Sequence, residues 1–173
     1  LWRGVPVREL LGDLLPRPDV KYAQFRSMNG YRTYLPVNLL DHALLAYEMN
    51  GERLSPEQGY PIRLVVPGVY DYKMPKWLTA IDLVADAPIG HYESQGLSGS
   101  GEVQTTSAIL TPRARAVVDG RVHFSGVAFA GTRKITRVEL SIDDGDWMPV
   151  PFVDAVVGSW TPWQIDWTPP AAG

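Results

Sequence analysis

YEMNGERLSPEQGYPIRLVVPG, residues 47–68, sets an arginine inside a run of aliphatic side chains. Asn50-Gly51 is typical of a tight hairpin turn, and Pro and Gly punctuate the loop that follows, so the stretch predicts two short strands. The second strand carries Arg63 in the sequence IRLVV. Burying an unpaired guanidinium costs several kcal/mol, on the order of its desolvation penalty. Either this face of the strand meets water, or an anion lies beside Arg63.

The composition fits a chain with a packed core and no nucleic-acid partner. The 173 residues are 45% hydrophobic, which suits one large domain or two small ones. The 16 Lys and Arg against 19 Asp and Glu leave a formal net charge of -3, so attraction to nucleic acid or an anionic membrane is not expected. The chain contains no cysteine, which excludes disulfides, thiolate catalysis and cysteine metal ligands within it.

The hydrophobic pattern predicts one helix followed by strands. PVRELLGDLL, residues 6–15, has apolar residues at helical spacing. After it the period changes to two, which is typical of β-strands. The predicted strands of this half are 20–27, 31–36, 43–49, 62–68 and 76–85.

A Gly- and Ser-rich segment, residues 86–107, is expected to be a linker or a long surface loop. The chain beyond it has short strands between Gly, Pro and Asp turns, which is typical of a β-sandwich. The predicted strands of this half are 108–112, 114–120, 121–131, 134–150 and 160–167. Within 134–150, SIDDGDWMP is interpreted as a hairpin turn, since it lacks the twelve-residue series of oxygen ligands and the closing glutamate of a calcium loop. Two units are therefore expected, divided near residue 105.

GYRTYLPVNLLDHALLAYEMNGERLSPEQGYPIRLVVPGVYDYKMPKWLTAIDL, residues 30–83, resembles the second half of the cofactor domain of the sulfite oxidase group of molybdopterin enzymes. WRGVPVRELL, residues 2–11, is similar to a helix of the same group, and residues 126–147 are similar to strands of its immunoglobulin-like dimerisation domain. The resemblance covers most of residues 2–167. It implies an α+β fold, with a partial molybdopterin-binding domain at 1–105 and a partial immunoglobulin-like β-sandwich at 106–173.

The resemblance also implies the cofactor and the reaction. A molybdenum atom held by molybdopterin and one protein cysteine would oxidise sulfite to sulfate by oxygen-atom transfer, with electrons passing to an acceptor such as a cytochrome. The cysteine precedes the WRGV segment in this family, so no metal ligand is expected within the chain. The chain starts at Leu1, and we expect it to be a piece of a longer protein. The family further implies a homodimer and a periplasmic location.

Three residues match cofactor-binding positions of the family. Arg63 falls on a cofactor-binding arginine, and the phosphate of molybdopterin is an anion that would offset its burial. The alternative for Arg63 is a strand-end arginine whose head lies in water. Lys76 matches a family lysine whose positive charge would likewise attract phosphate or pterin oxygens. Lys73 is predicted to be exposed. Gln58 replaces a histidine, so it can donate a hydrogen bond but cannot titrate near neutral pH.

Two residues match catalytic positions. Tyr31 falls on a tyrosine beside the metal-bound oxygen, where a phenol donates a hydrogen bond; from the residues alone, an ordinary strand tyrosine is the simpler interpretation. Arg133 matches an arginine of the second domain that reaches toward the anion pocket. His42, His91 and His123 come from separate elements without metal-ligand spacing.

Two other functions stay open at this point. One is a non-catalytic β-sandwich module for binding or assembly, with a degenerate cofactor domain; Gln58 and the absence of cysteine fit it. The other keeps the enzyme and changes the substrate to nitrate or an organic sulfoxide.

Overall fold

The computed structural model describes residues 1–15, 17–114, 116 and 120–169. The chain divides into two compact units, Leu1–Glu102 and Val103–Gly173, and each unit has its own hydrophobic core. Both units are mostly β, so the helical share is smaller than an α+β fold suggests. Within the described residues, no helix is long and apolar enough to span a membrane.

The first unit is built from two antiparallel sheets. The strands are β1 (Trp2–Pro6), β2 (Tyr22–Ser27), β3 (Arg32–Pro36), β4 (Leu44–Met49), β5 (Glu52–Arg53), β6 (Arg63–Val65) and β7 (Leu78–Val84). Strand β4 pairs with β1, β5 and β6 in one sheet, and β2 lies between β3 and β7 in the other. All five strands predicted for this half are confirmed.

The helices of the first unit are short. The α-helix α1 spans Val7–Leu11 and ends at Gly12, whose φ of 43° breaks the helix before the predicted end at residue 15. The described part of this unit also has 3-10 helices at Gly12–Leu14, Val37–His42, Asp71–Lys73 and Glu93–Gln95.

The period-two pattern of β2 and β3 builds the core of the first unit. Ala23 and Phe25 of β2 are fully buried, as are Thr33 and Leu35 of β3. Alternate side chains of a strand point to opposite faces, so these residues share one face of the sheet. The core is completed by Val7, Leu11, Leu15, Val20, Leu40, Ala43, Leu45, Leu64, Val66 and Val69.

The second unit consists of a three-stranded sheet and a small hairpin. The strands are β8 (Thr106–Thr111), β9 (Val122–Phe129), β10 (Glu139–Leu140), β11 (Met148–Pro149) and β12 (Thr161–Trp167). Strand β9 lies between β8 and β12, and β10 pairs with β11. The hairpin predicted around SIDDGDWMP is confirmed by the β10–β11 pair. The strand predicted at 114–120 lies largely outside the described residues.

The Gly- and Ser-rich segment packs onto the first unit up to Glu102 as a long, mostly exposed loop, so the surface-loop alternative is confirmed there and the linker alternative is wrong. The backbone N–H of Tyr70 donates to the carbonyl of Gly101 at 2.8 Å, and Glu102 forms an isolated bridge with Val69. A Cβ on Gly101 would lie 2.3 Å from Cγ of Lys73. This glycine therefore permits close packing.

Candidate functional site

Three consecutive backbone carbonyls accept hydrogen bonds from the two cations predicted to bind the cofactor and from a neighbouring tryptophan. These carbonyls belong to PEQ, residues 56–58, in the loop between β5 and β6. They accept hydrogen bonds, in order, from Nε1 of Trp77 at 2.9 Å, Nζ of Lys76 at 2.5 Å and Nη1 of Arg63 at 3.2 Å. Arg63 reaches this loop from β6, and Lys76 reaches it from the residues just before β7. The structure thus brings the two predicted cofactor ligands to one loop.

Gly59 lets the stems of the two cations approach each other. Its φ is 107°, a conformation that favours glycine. A Cβ at this position would lie 2.9 Å from Cβ of Lys76 and 3.1 Å from Cβ of Arg63. Any larger residue would push the two side chains away from this loop.

The electrostatics of this group fit an anionic ligand. Among the described residues, neither Arg63 nor Lys76 forms an ion pair, since their acceptors are neutral carbonyls. Arg63 is half-buried, its Nε has no hydrogen-bond partner, and its guanidinium lies 5.2 Å from the ring of Trp2. Burial lowers the pKa of Arg63, and the nearby carboxylate of Asp71 opposes that shift. A phosphate oxygen at Nε would satisfy the unpartnered donor.

Gln58 serves the loop itself. Its Oε1 accepts from the backbone N–H of Ser55 at 2.9 Å, and the N–H of Gln58 donates back to Oγ of Ser55 at 3.3 Å. This reciprocal pair fixes the turn whose carbonyls hold Arg63 and Lys76. The predicted direct contact of Gln58 with a cofactor stays a prediction.

Tyr31 lies just before β3, half-buried, with its hydroxyl donating to the carbonyl of Tyr72. Burial raises the pKa of Tyr31 well above the ordinary tyrosine value, and the carboxylate of Glu93 raises it further. The ring meets those of His91 and Tyr92 at centroid distances of 5.7 and 5.9 Å. The phenol therefore remains a neutral donor across the physiological range.

A cavity of about 220 Å³ joins Tyr31 to Lys76. Asn29, Asp71 and Tyr92 also line it, so its wall offers one cation, one carboxylate and several neutral donors. Water occupies about 30 Å³ per molecule in the liquid, so a small oxyanion fits this space. Tyr31, predicted as catalytic, and Lys76, predicted as a cofactor ligand, thus share one opening.

Lys73 is completely buried, so the prediction that it is exposed is wrong. Its Nζ forms an ion pair with Glu93 and donates to the carbonyl of Tyr34 at 2.8 Å. It also lies 4.1 Å from the ring centroid of Tyr34. Burial lowers the pKa of Lys73, and Glu93 opposes that shift. Sequence reasoning missed Glu93 because the segment that carries it was interpreted as a linker or a long surface loop, where no buried ion pair is expected.

Arg133, the other predicted catalytic residue, belongs to the second unit. It is exposed, and its Nη2 donates to Oγ1 of Thr105 at 2.9 Å. Its role at an anion pocket stays a prediction. Among the described residues, no group of three or more His, Asp or Glu side chains has an arrangement that could hold a metal ion.

Comparison with known proteins assigns the family. The family described as "Oxidoreductase molybdopterin binding domain" matches residues 1–92, more than half of the 173 residues. Mitochondrial sulfite oxidase of Drosophila melanogaster is 34% identical over 179 aligned positions, which cover 83% of this chain. The chain belongs to the sulfite oxidase family of molybdopterin oxidoreductases.

Two further proteins are similar to this chain. NADH nitrate reductase of Spinacia oleracea is 28% identical over 84% of this chain and 21% of its own length. The crystal structure of the sulfane dehydrogenase SoxCD from Paracoccus pantotrophus superposes with a TM-score of 0.76 at 27% identity, covering 95% of this chain and 47% of that one. The mostly β architecture thus matches a sulfite-oxidase-like fold. The chain spans about a third of the Drosophila sulfite oxidase, 31% of its length.

Proposed function

We propose that this chain is part of a molybdenum enzyme that oxidises sulfite to sulfate by oxygen-atom transfer and passes two electrons to an acceptor such as a cytochrome. The observation that carries the proposal is the half-buried Arg63, held beside Lys76 with no carboxylate partner among the described residues and with its Nε unpartnered. Unpaired buried charge is costly, so such an arrangement persists where an anion compensates it. The names of the related sulfite oxidases support a sulfur oxyanion as the substrate class.

The first unit would hold the cofactor through its cations. Arg63 and Lys76 would bind the phosphate or pterin oxygens of molybdopterin, and Gln58 would add an amide donor beside them. When bound, the cofactor would supply the molybdenum centre that accepts two electrons at a time. The carbonyls of residues 56–58 would keep both cations in place before the ligand arrives, which reduces the cost of ordering them on binding.

Tyr31 would act on the oxygen that is transferred. Its raised pKa keeps the phenol protonated at neutral pH, so it can donate a hydrogen bond to an oxyanion in the adjoining cavity. To do so it would exchange its bond to the carbonyl of Tyr72 for one to the substrate. Arg133 is proposed as a second cation for the substrate, on the family resemblance alone.

The second unit is proposed as a partial immunoglobulin-like domain, residues 106–173, that supports a homodimer in a periplasmic protein. All six residues of β8 are exposed, including Ile109 and Leu110. An exposed edge strand with apolar side chains is suited to pairing with another chain. The same surface favours the second candidate function, a non-catalytic assembly module.

Metal analysis separates the two candidates. The full-length protein expressed with molybdate should contain molybdenum and a fluorescent pterin. Arg63→Met should lower its molybdenum content, since losing a hydrogen bond to a charged group, about 1.5–3 kcal/mol, weakens the affinity for the cofactor roughly tenfold or more. Arg53→Met is the matched control, because Arg53 is exposed on β5. A folded full-length protein without molybdenum and without pterin would overturn the enzymatic proposal and support the assembly module.

A further inference from the structure

The buried pair of Lys73 and Glu93 ties together three segments around Tyr31. Lys73 lies in the 3-10 helix that precedes β7, and Glu93 begins the 3-10 helix after β7. The third segment is β3, where Thr33 donates through Oγ1 to Oε1 of Glu93 at 2.7 Å and the carbonyl of Tyr34 accepts from Nζ of Lys73 at 2.8 Å. Glu93 is 7% exposed and Lys73 is 0% exposed. The pair is therefore a cross-link inside the first unit.

Two glycines pack closely against this pair. A Cβ on Gly90 would lie 2.1 Å from Oε2 of Glu93, and a Cβ on Gly101 would lie 2.3 Å from Cγ of Lys73. The Gly-rich composition of the segment thus permits close contact with two charged side chains. Such contact leaves Glu93 one well-defined position.

Two of the three cross-linked segments also contact Tyr31. Tyr72, directly before Lys73, supplies the carbonyl that accepts from the Tyr31 hydroxyl. His91 and Tyr92, directly before Glu93, pack their rings against the ring of Tyr31. Glu93 and Lys73 thus hold the phenol on two sides.

We propose that Glu93, held by Lys73, is a positioning residue for the phenol of Tyr31. The inference deepens the proposed function, since it rests on Tyr31 acting on the substrate. Glu93 fixes the direction of the hydroxyl through the neighbours of Tyr31. A misplacement of about 1 Å at a reacting group can cost on the order of a hundredfold in rate, so this fixation matters for turnover.

The charge of Glu93 adds a second effect on the phenol. The titratable groups that act on Tyr31 include the carboxylates of Glu93 and Asp71 and the hydroxyl of Tyr92, and all three raise its pKa. The ring of His91 packs against Tyr31 as well. Replacing Glu93 by Gln keeps the shape and removes one charge, so the pKa of Tyr31 should move back toward the ordinary tyrosine value.

The test is a double-mutant cycle in the full-length molybdenum-loaded protein. Glu93→Gln, Tyr31→Phe and the double variant are compared with the parent by sulfite-dependent reduction of an artificial electron acceptor. We expect E93Q to lower kcat roughly tenfold to a hundredfold with a smaller change in KM, and to lower it little further in the Y31F background. Asp82→Asn is the matched control, because it breaks the exposed ion pair with Arg26 and should leave kcat unchanged.

The outcomes separate the inference from the proposed function. Equal activity of Y31F and the parent refutes the role of Tyr31 in the proposed function. If Y31F is impaired and E93Q lowers kcat by the same factor in both backgrounds, the positioning role is refuted, because a merely structural effect is independent of the phenol.

A spectroscopic measurement tests the same inference without turnover. The tyrosinate absorbance that is lost in Y31F reports the ionisation of Tyr31, and this component should appear at lower pH in E93Q than in the parent. An unchanged ionisation of Tyr31 in E93Q would refute the inference.

If E93Q does not fold, Thr33→Val replaces it, since this change removes one hydrogen bond to Glu93 and keeps the ion pair. T33V should lower kcat less than Y31F does. A kcat of T33V equal to that of the parent would refute the positioning role.

Discussion

Removing Lys73 should destabilise the first unit strongly. Lys73→Met shortens the side chain by one atom and deletes the ion pair with Glu93, the hydrogen bond to the carbonyl of Tyr34 and the contact of the ammonium group with the Tyr34 ring. In the variant the carboxylate of Glu93 is left without its counter-ion, and because the site is buried, water does not replace it. Breaking a buried pair on one side costs about 3–5 kcal/mol. We expect a loss of that size in the free energy of unfolding.

Urea denaturation of the molybdenum-free full-length protein measures this loss. Hydrogen exchange of the amides in β2, β3 and β7 restricts the signal to the first unit. With a slope of about 2 kcal/mol per M urea, the midpoint should fall by roughly 1.5–2.5 M. Asp82→Asn serves again as the control, because a surface ion pair contributes about 0–1 kcal/mol.

The double variant Lys73→Met/Glu93→Gln decides whether the ion pair is the cause of the loss of stability. Replacing both charges by neutral groups removes the uncompensated carboxylate, so the double variant should lose clearly less than the two single losses combined. A single variant within about 1 kcal/mol of the parent, or fully additive losses, would show that the ion pair does not stabilise the unit as described.

Three further predictions concern Tyr31 and the glycines. The pKa of Tyr31 is raised in the folded state, so its stabilising contribution is present below pH 10 and is lost as the pH rises above that value. In alkaline unfolding titrations, the free energy of unfolding of the parent should fall by up to about 1.4 kcal/mol per pH unit relative to Tyr31→Phe. Gly101→Ala should lower stability by about 2 kcal/mol or more in thermal unfolding, because its Cβ meets Lys73, whereas Gly30→Ala, with positive φ but open space, should cost about 1 kcal/mol. Gly59→Ala should separate the two cations and lower molybdenum content; unchanged content would contradict their role in cofactor binding.

The strands and the loop around Arg63 could be predicted from the sequence. Alternation of apolar residues identified β2 and β3, and Asn50-Gly51 marked the turn after β4, where Asn50 has a φ of 55°. The cost of burying Arg63 singled out this residue and left two alternatives, water or an anion beside it; the structure has Arg63 half-buried with a neutral carbonyl as its acceptor. These inferences depend on local pattern and on the chemistry of one residue, both of which are legible in the sequence.

The environment of Lys73 could not be predicted in this way. Lysine is almost never fully buried unless paired, and its partner Glu93 lies 20 residues away in a segment whose glycines resemble those of a flexible linker. Glycine permits flexibility and close packing equally, and only the tertiary contacts distinguish the two. The interpretation of Gln58 had the same limit, because its bond with Ser55 depends on the shape of the turn.

The acceptors that fix the two cations and Trp77 are main-chain atoms, and this affects how the loop tolerates sequence change. Exchanging the side chain of Glu57 leaves its carbonyl oxygen in place for Lys76. Related proteins can therefore vary at this position without losing the arrangement, provided that the backbone keeps its path. The arrangement thus depends on the curvature of the loop, to which Gly59 and the Ser55–Gln58 bond contribute, more than on the identity of the residue that supplies each oxygen.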